Sequence, residues 1–188
     1  MEAVKAYLEQ IVTLSEEDWA IFSSKLVQRE LPKKAKLLEI GKVEKHLSFI
    51  ETGIVRLFIP KLENDLTFGF CFENEFVSAY DSFLTQLPSS YQMETLTPTN
   101  IWTLSYEDLQ LIYEDTAIGN TVGRLAAENL YKIKAQRELS LLNNTAEQRY
   151  LNLFKERPQL LKFIPLKYLA SYIGITPQAL SRIRKRIS

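Results

Sequence analysis

Apolar residues recur at helical spacing in several segments of the chain, and the first such segment lies near the N-terminus. In TLSEEDWAIFSSKL, Trp19 and Phe22 lie three residues apart on an otherwise polar background, which predicts an amphipathic helix. Ser15 is its expected N-cap, because Asp18 occupies the capping-box position three residues later. A second short helix is expected in SYEDLQLIY, with its first serine in the same capping role.

Between these helices, the pattern changes to short runs rich in β-branched and aromatic residues. From Leu31-Pro32 to about Leu104 these runs are separated by turn signals such as Thr52-Gly53 and Glu63-Asn64. Many strands at close spacing predict an antiparallel β-roll of the jelly-roll or double-stranded β-helix type. The runs are KLLEI, HLSFIE, GIVRLFI, LTFGFCF, QMETL and NIWTL.

The stretch from about Thr116 to Leu142 contains no proline and predicts one long helix. A helix of about 25 residues is about 37 Å long, which exceeds what a small roll can cover. A seam against a second copy of the chain would bury the remainder, and packing on its own domain alone is the alternative. The expected seam residues are Ile118, Val122, Leu125, Asn129 or Leu130, and Ile133, continued by Arg137 or Leu141.

Asn143-Asn144 interrupts this pattern and predicts a hinge. Thr145 and Gln148 then form a capping box for a further helix, which Pro158 is expected to end. The predicted fold class is α+β. Its predicted parts are 1–115 for the roll with its flanking helices, 116–143 for the dimerisation helix and 144–188 for a small all-helical domain.

The last domain contains PLKYLASYIGITPQALSRIRKRI, which predicts two helices joined by a tight turn. Gly174 can take the left-handed conformation that ends the first helix, and Thr176 and Pro177 suit the cap and first position of the second. Ala170 lies four residues before Gly174, and Leu180 lies six after it. This spacing is typical of a helix-turn-helix, whose helices cross closely at the small residue. The expected core of the pair is Leu169, Ile173, Leu180 and Ile183.

The opposite side of the final helix carries Gln178, Ser181, Arg182 and Lys185, which can contact base edges or phosphates. The whole chain has 23 Lys and Arg against 23 Asp and Glu, but the charges are unevenly distributed. From residue 145 onward the net charge is +7, and residues 1–144 carry −7. Such asymmetry suggests a polyanion as partner. A helical hairpin with a solvated surface and no affinity for DNA is the alternative.

The composition argues against several other classes of protein. No run of about 18 apolar residues is present, so no membrane span is expected. MEAVKAYLEQ does not resemble a secretory signal, and with the single cysteine, Cys71, this predicts a cytoplasmic protein. The single histidine, His46, cannot supply a multi-histidine metal centre. We therefore expect no cofactor and no enzymatic activity.

The order of these parts resembles the Crp/Fnr family of bacterial transcription regulators over nearly the whole chain. LLEIG and LSFIETGIVRLF are similar to the first strands of that family's cyclic nucleotide-binding-like sensor roll. LASYIGITPQALSRIRKRI is similar to its winged-helix-like DNA-binding domain, in a branch that ends soon after the recognition helix. The resemblance implies a homodimer, paired in parallel through the long helix, on a palindromic promoter site. It further implies double-stranded DNA and RNA polymerase as partners.

By motif position, the resemblance assigns base reading to Pro177, Gln178 and Arg182. Thr176 and Ser181 are then expected to contact phosphates, with Lys185 beside them. Arg182 could pair bidentately with guanine, a contact worth about 1–3 kcal/mol of discrimination. Pro177 cannot read a base by hydrogen bonding, so the preferred site should differ from the family's best-known one.

The roll departs from the family members that bind cyclic AMP, which carry a Gly-Glu pair and an Arg-Ser pair in this pocket. EFVSAYDSF has Ser78 and Ala79 at the first pair, and PSSYQM has Ser89 and Ser90 at the second. Without the arginine, a buried cyclic phosphate would have no countercharge. We predict that cyclic AMP does not bind and that any effector is a different ligand. A β-roll ligand-binding or protein-interaction module without DNA binding is the alternative for the whole chain.

Overall fold

The computed structural model describes residues 1–187, which contain eight strands and nine helices. The strands are β1 (Val27–Leu31), β2 (Lys36–Leu38), β3 (His46–Thr52), β4 (Val55–Ile59), β5 (Leu66–Cys71), β6 (Phe76–Val77), β7 (Gln92–Thr95) and β8 (Thr99–Ser105). The helices are α1 (Glu2–Glu9), α2 (Glu16–Ser24), α3 (Tyr80–Thr85), α4 (Tyr106–Asp115), α5 (Gly119–Asn143), α6 (Ala146–Glu156), α7 (Pro158–Phe163), α8 (Leu166–Tyr172) and α9 (Pro177–Ile187). None of these helices is long and apolar enough to cross a membrane.

The strands form the two sheets of the predicted roll. One sheet has the order β1-β8-β3-β6 and the other has the order β2-β7-β4-β5. In the first sheet β8 pairs antiparallel with both β1 and β3, so that Thr103 lies opposite Val27 on one side and Ser48 on the other. Strands from distant parts of the chain are therefore neighbours, as in a closed roll. The α+β class, with strands followed by helices, is confirmed.

β1 begins before the point where the sequence pattern predicted the roll to start. Four of its five residues are exposed, so it lacks the apolar alternation that identifies a strand locally. It is a strand because it pairs with β8 from Val27 opposite Thr103 to Leu31 opposite Thr99. Tertiary pairing therefore overrides local preference in this segment.

The turn between β3 and β4 requires a glycine. Gly53 has a φ of +109°, a region that residues with a side chain rarely adopt. A Cβ at this position would overlap Thr99 Oγ1 and lie 2.8 Å from the carbonyl oxygen of Pro98. The expected tight turn at Thr52-Gly53 thus also allows the chain to pass close to the start of β8.

The helix caps predicted from the sequence are confirmed. Ser15 Oγ accepts a hydrogen bond from the Asp18 N–H at 3.0 Å, and the first serine of SYEDLQLIY caps α4 in the same way. At α6 the Thr145 N–H donates to Gln148 Oε1 at 2.8 Å, and Thr145 Oγ1 accepts from the Gln148 N–H at 3.2 Å. This reciprocal pair is a capping box, and it starts a new helix immediately after α5 ends.

The described residues divide into two compact units. The first contains Met1–Leu57 and Phe70–Glu128, and the second contains Phe58–Gly69 together with the chain from Asn129 onward. The division lies within α5, and the domain limits given by the sequence pattern remain a prediction. The core of the first unit contains Val4, Leu8, Phe22, Leu26, Phe49, Phe83, Leu104, Leu109 and Ile112. Buried apolar residues of the second unit include Tyr150, Leu153, Leu160, Ile164, Leu169 and Leu180.

Candidate nucleic-acid interface

The turn between α8 and α9 has the backbone geometry that its sequence predicts. Gly174 has a φ of +79°, and the Ile175 N–H donates to the Ala170 carbonyl at 3.0 Å, which closes the end of α8. Thr176 Oγ1 then accepts from the Ala179 N–H at 3.2 Å and caps α9. The chain therefore reverses sharply between two short helices.

Apolar residues on the facing sides of α8 and α9 hold the pair together. Ala170 has no exposed surface, and Leu180 is 1% exposed. A small side chain at the crossing allows close approach of the helices, as the spacing predicted. The predicted core of Leu169, Ile173, Leu180 and Ile183 is buried throughout.

The remaining side of α9 is exposed and carries the predicted DNA-binding residues. α9 contains no acidic residue, and its last turn carries three cations, which also suit the negative end of the helix dipole. A groove next to the exposed side of α9 is lined by Leu166, Pro177, Leu180, Ser181, Arg184 and Lys185. The exposed predicted residues are Thr176, Pro177, Gln178, Ser181, Arg182 and Lys185.

The cations of α9 differ in how far they are engaged within the chain. Arg186 Nη2 lies 2.5 Å from Glu147 Oε2, an exposed pair that contributes little to stability. Within residues 1–187, no hydrogen bond or ion pair links the side chain of Arg182 or of Lys185 to another group. These two side chains can therefore meet an outside anion without breaking an internal contact.

Two arginines contact the carboxyl end of α8: Arg137, which the sequence pattern placed as a possible continuation of the α5 seam, and Arg149, to which it gave no specific role. Arg137 Nη2 donates to the Tyr172 carbonyl at 2.7 Å, and its guanidinium lies 3.9 Å from the centre of the Tyr172 ring. Arg149 Nε donates to the Ile173 carbonyl at 2.8 Å, and Arg149 Nη1 donates to the Asn144 carbonyl at 2.6 Å. Burial lowers the pKa of Arg137, and the contact with Tyr172 opposes that change. One sequence signal for a special role of Arg137 was its position, as a cation, in the mainly apolar seam predicted for α5.

Ser171 in α8 contacts the loop that leads into β5. Its hydroxyl donates to the Asp65 carbonyl at 2.6 Å and accepts from the Thr67 N–H at 2.8 Å. One side chain thus satisfies both a donor and an acceptor of the loop backbone, which would otherwise need other partners. These residues all belong to the second unit.

The four predicted pocket positions of the roll do not present a set of free polar groups. Ser78 Oγ donates to the His46 carbonyl at 3.0 Å, and the buried Ser89 Oγ donates to the Tyr91 carbonyl at 3.0 Å. Ala79 is fully buried, whereas Ser90 is exposed. The hydroxyl groups at Ser78 and Ser89 are therefore already used by the backbone.

Three ionisable groups of the roll, Arg56, Glu94 and Glu44, are engaged with one another or with the backbone. Arg56 is 1% exposed, and its Nη1 lies 2.9 Å from Glu94 Oε1. Burial raises the pKa of Glu44, although the carboxylate accepts a hydrogen bond from the His46 N–H. Among the described residues, every buried side-chain nitrogen or oxygen has a hydrogen-bond partner, and no cluster of potential metal ligands occurs.

The structure divides the predicted seam of α5 into two parts. Ile118, which precedes α5, is buried within its own chain, whereas Val122 and Leu125 are half-buried and keep part of their surface exposed. Asn129 and Ile133 are exposed. Exposed large apolar residues of α5 are Tyr131, Ile133, Leu139, Leu141 and Leu142.

No protein-family model matches the sequence, and no curated protein matches it. Solved structures do match. The c-di-GMP-responsive global regulator CLP of Xanthomonas campestris has 17% identity and a TM-score of 0.69, with 92% of this chain and 91% of that chain covered. FixK2 of Bradyrhizobium japonicum has 12% identity and a TM-score of 0.73, with 86% and 84% covered. A Crp/Fnr family transcriptional regulator of Eubacterium rectale has 13% identity and a TM-score of 0.69, with 93% and 83% covered. The chain therefore has the fold of the Crp/Fnr regulators.

Proposed function

We propose that this chain is a DNA-binding transcription regulator of the Crp/Fnr type and acts in the cytoplasm. The observation that carries the proposal is the division of α9 into two sides. Leu180 and Ile183 anchor the helix to α8, while Arg182 and Lys185 are exposed on a side that has no acid. A helix anchored in this way can enter the major groove and keep its polar side against the bases. The role is regulatory rather than catalytic.

Five exposed residues of α9 suit a particular chemical role on a duplex. The planar guanidinium of Arg182 matches the O6 and N7 acceptors of guanine, and the amide of Gln178 matches adenine. The Lys185 ammonium and the Ser181 hydroxyl suit phosphate oxygens, which fix register but carry no sequence information. Pro177 can only contact bases or sugars through its apolar ring.

We further propose that the chain is a homodimer that binds a palindromic site and contacts RNA polymerase there. Asn129 and Ile133 of the predicted seam are exposed and lie on the same side of α5 as the half-buried Val122, and an exposed large apolar side chain such as Ile133 can form part of an interaction surface. A second copy of α5 would cover that surface and set two recognition helices about one helical turn of DNA apart. Light scattering of the purified protein should give twice the mass of one chain.

We also propose that cyclic AMP is not the effector. A buried cyclic phosphate requires a countercharge, and the second pocket pair supplies serines instead of arginine. The buried cation Arg56 is already paired with Glu94, so releasing it would leave a carboxylate without its partner. Ser78 and Ser89 would have to give up backbone hydrogen bonds to reach a ligand.

The decisive experiment is the selection of duplexes from a randomised pool about three helical turns long, followed by affinity measurements in defined salt. Arg182→Ala should lower affinity for the selected duplex by about tenfold or more, the equivalent of about 1–3 kcal/mol. Arg29→Ala removes the same charge from an exposed position of β1 and is the matched control. The competing candidate is a roll that binds a ligand or protein without DNA, and it predicts no duplex selection and no salt-dependent binding.

A further inference from the structure

The last backbone carbonyls of α8 have no hydrogen-bond donor within the helix and need partners from elsewhere. N–H groups of the following turn donate to earlier carbonyls of α8 at 3.0 Å. The carbonyls of Tyr172 and Ile173 instead accept from arginines of other helices, Arg137 in α5 and Arg149 in α6. The end of the first helix of the pair is therefore held by side chains from α5 and α6.

The two guanidinium groups make contacts that few other side chains could make. Arg149 joins the Ile173 carbonyl to the Asn144 carbonyl, which lies just before α6. Arg137 combines a hydrogen bond to the Tyr172 carbonyl with stacking on the Tyr172 ring. A lysine has no planar face to stack on the Tyr172 ring, and it would have to reach the Ile173 and Asn144 carbonyls from one nitrogen, whereas Arg149 uses Nε and Nη1.

Charge also favours this arrangement. The carboxyl end of a helix carries partial negative charge, and a cation placed there stabilises the helix. Both arginines direct donors toward this end of α8 rather than toward the exposed side of α9. Arg149, although it contributes to the basic charge of the last domain, is thus engaged inside the protein.

We propose that Arg137 and Arg149 are positioning residues, which fix the helix pair to the end of α5 so that α9 meets the duplex in the correct orientation. This inference rests on the proposed DNA-binding function. The two arginines link α8 to the end of α5 and the start of α6, and α9 follows α8 through a turn of four residues. A small tilt of α8 would therefore move Arg182 away from the base edge that it reads.

The test uses substitutions that conserve charge, Arg137→Lys and Arg149→Lys, in the full chain. Each should weaken binding to the selected duplex by about tenfold, the equivalent of one charge-assisted hydrogen bond. Binding to a random-sequence duplex should change much less, and the dependence of affinity on salt should remain that of the wild type. Arg124→Lys is the matched control, because Arg124 lies on the same helix but pairs with Glu128 on the surface. It should behave like the wild type.

If Arg137 and Arg149 instead bound phosphate or only stabilised the fold, the binding measurements would give different results. A phosphate-binding arginine would tolerate lysine, and its replacement by alanine would lower the salt dependence by about one counterion. A loss of stability alone would reduce binding to the selected and random duplexes by the same factor. Either result would overturn the proposal, as would lysine variants that bind both duplexes like the wild type.

A second measurement does not depend on DNA. Hydrogen exchange of the free protein should be faster in peptides from α8 and α9 of either lysine variant, and unchanged in peptides from β3 and β8. Unchanged exchange in α8 and α9 would overturn the positioning role. If the wild type selects no duplex, the proposed function fails, while the exchange result still decides whether the arginines hold the helix pair.

Discussion

The roll and the terminal helix pair use their cations differently. In the roll, Arg56 is 1% exposed and lies 2.9 Å from a carboxylate oxygen of Glu94. On α9, Arg182 and Lys185 are exposed, and within residues 1–187 their side chains make no ion pair or hydrogen bond. At the carboxyl end of α8, Arg137 and Arg149 are engaged like Arg56, but with backbone carbonyls instead of a carboxylate.

This difference separates charges that stabilise the fold from charges that can bind a partner. Removing one member of a buried ion pair lowers the stability of the protein by several kcal/mol, because the other charge stays buried without a partner. An exposed cation without an internal partner contributes little to folding and is free to neutralise a phosphate. The number of cations in the sequence is therefore larger than the number that can contact DNA.

The largest effect is expected from breaking the buried pair of the roll. Arg56→Ala should lower the free energy of unfolding by about 3–5 kcal/mol, because Glu94 loses its partner in a largely buried site. Urea denaturation followed by circular dichroism measures this loss. Arg29→Ala, at an exposed position of β1, should change stability by no more than about 0.5 kcal/mol. A loss below about 1 kcal/mol for Arg56→Ala would mean that the pair behaves like a surface pair.

The next effect tests the anchored side of the helix pair. Ala170→Leu adds side-chain volume at a position with no exposed surface, where α8 and α9 cross. Overpacking of this kind should cost about 1–3 kcal/mol and push the helices apart, so binding to the selected duplex should be lost as well. Ala20→Leu, at an exposed position of α2, is the control for the added volume. Full DNA binding by Ala170→Leu would contradict the close crossing.

Much of the helix pair could be predicted from the sequence because its signals are local. Gly174, Thr176 and Ala170 each act within a few residues of the turn, so short-range rules apply to them. The strand β1 could not be predicted, because it forms only by pairing with Thr99–Ser105 far along the chain.

The predicted dimer seam of α5 also shows that local sequence patterns do not reveal long-range partners. Its apolar spacing predicted a helix correctly, but spacing cannot tell which side faces the same chain. Ile118 packs inside its own unit, and Arg137 reaches a carbonyl 35 residues later. Such long-range partners are decided by tertiary packing rather than by any pattern in the neighbourhood of the residue.

A smaller effect should distinguish Arg182 from Lys185 on α9. Lys185→Ala should weaken binding to the selected and random duplexes by similar factors and reduce the salt slope by about one, because a phosphate contact carries no sequence information. Arg182→Ala should instead affect mainly the selected duplex. Lys33→Ala, at an exposed position of the roll, is the control. If Lys185→Ala changed only the selected duplex, Lys185 would be a base-reading residue.

The smallest effect, no change at all, is expected when cyclic AMP is added. A ligand at about a thousand times its Kd stabilises the native state by about 4 kcal/mol, which raises Tm by several degrees. In this roll, Ser89 Oγ donates to the Tyr91 carbonyl and Arg56 is paired with Glu94, so neither group is available to a cyclic phosphate. Thermal unfolding and isothermal titration with millimolar nucleotide should therefore match the buffer control. A clear rise in Tm would mean that the roll can rearrange its internal pairs to accept an anion, and the contrast with α9 would then no longer hold.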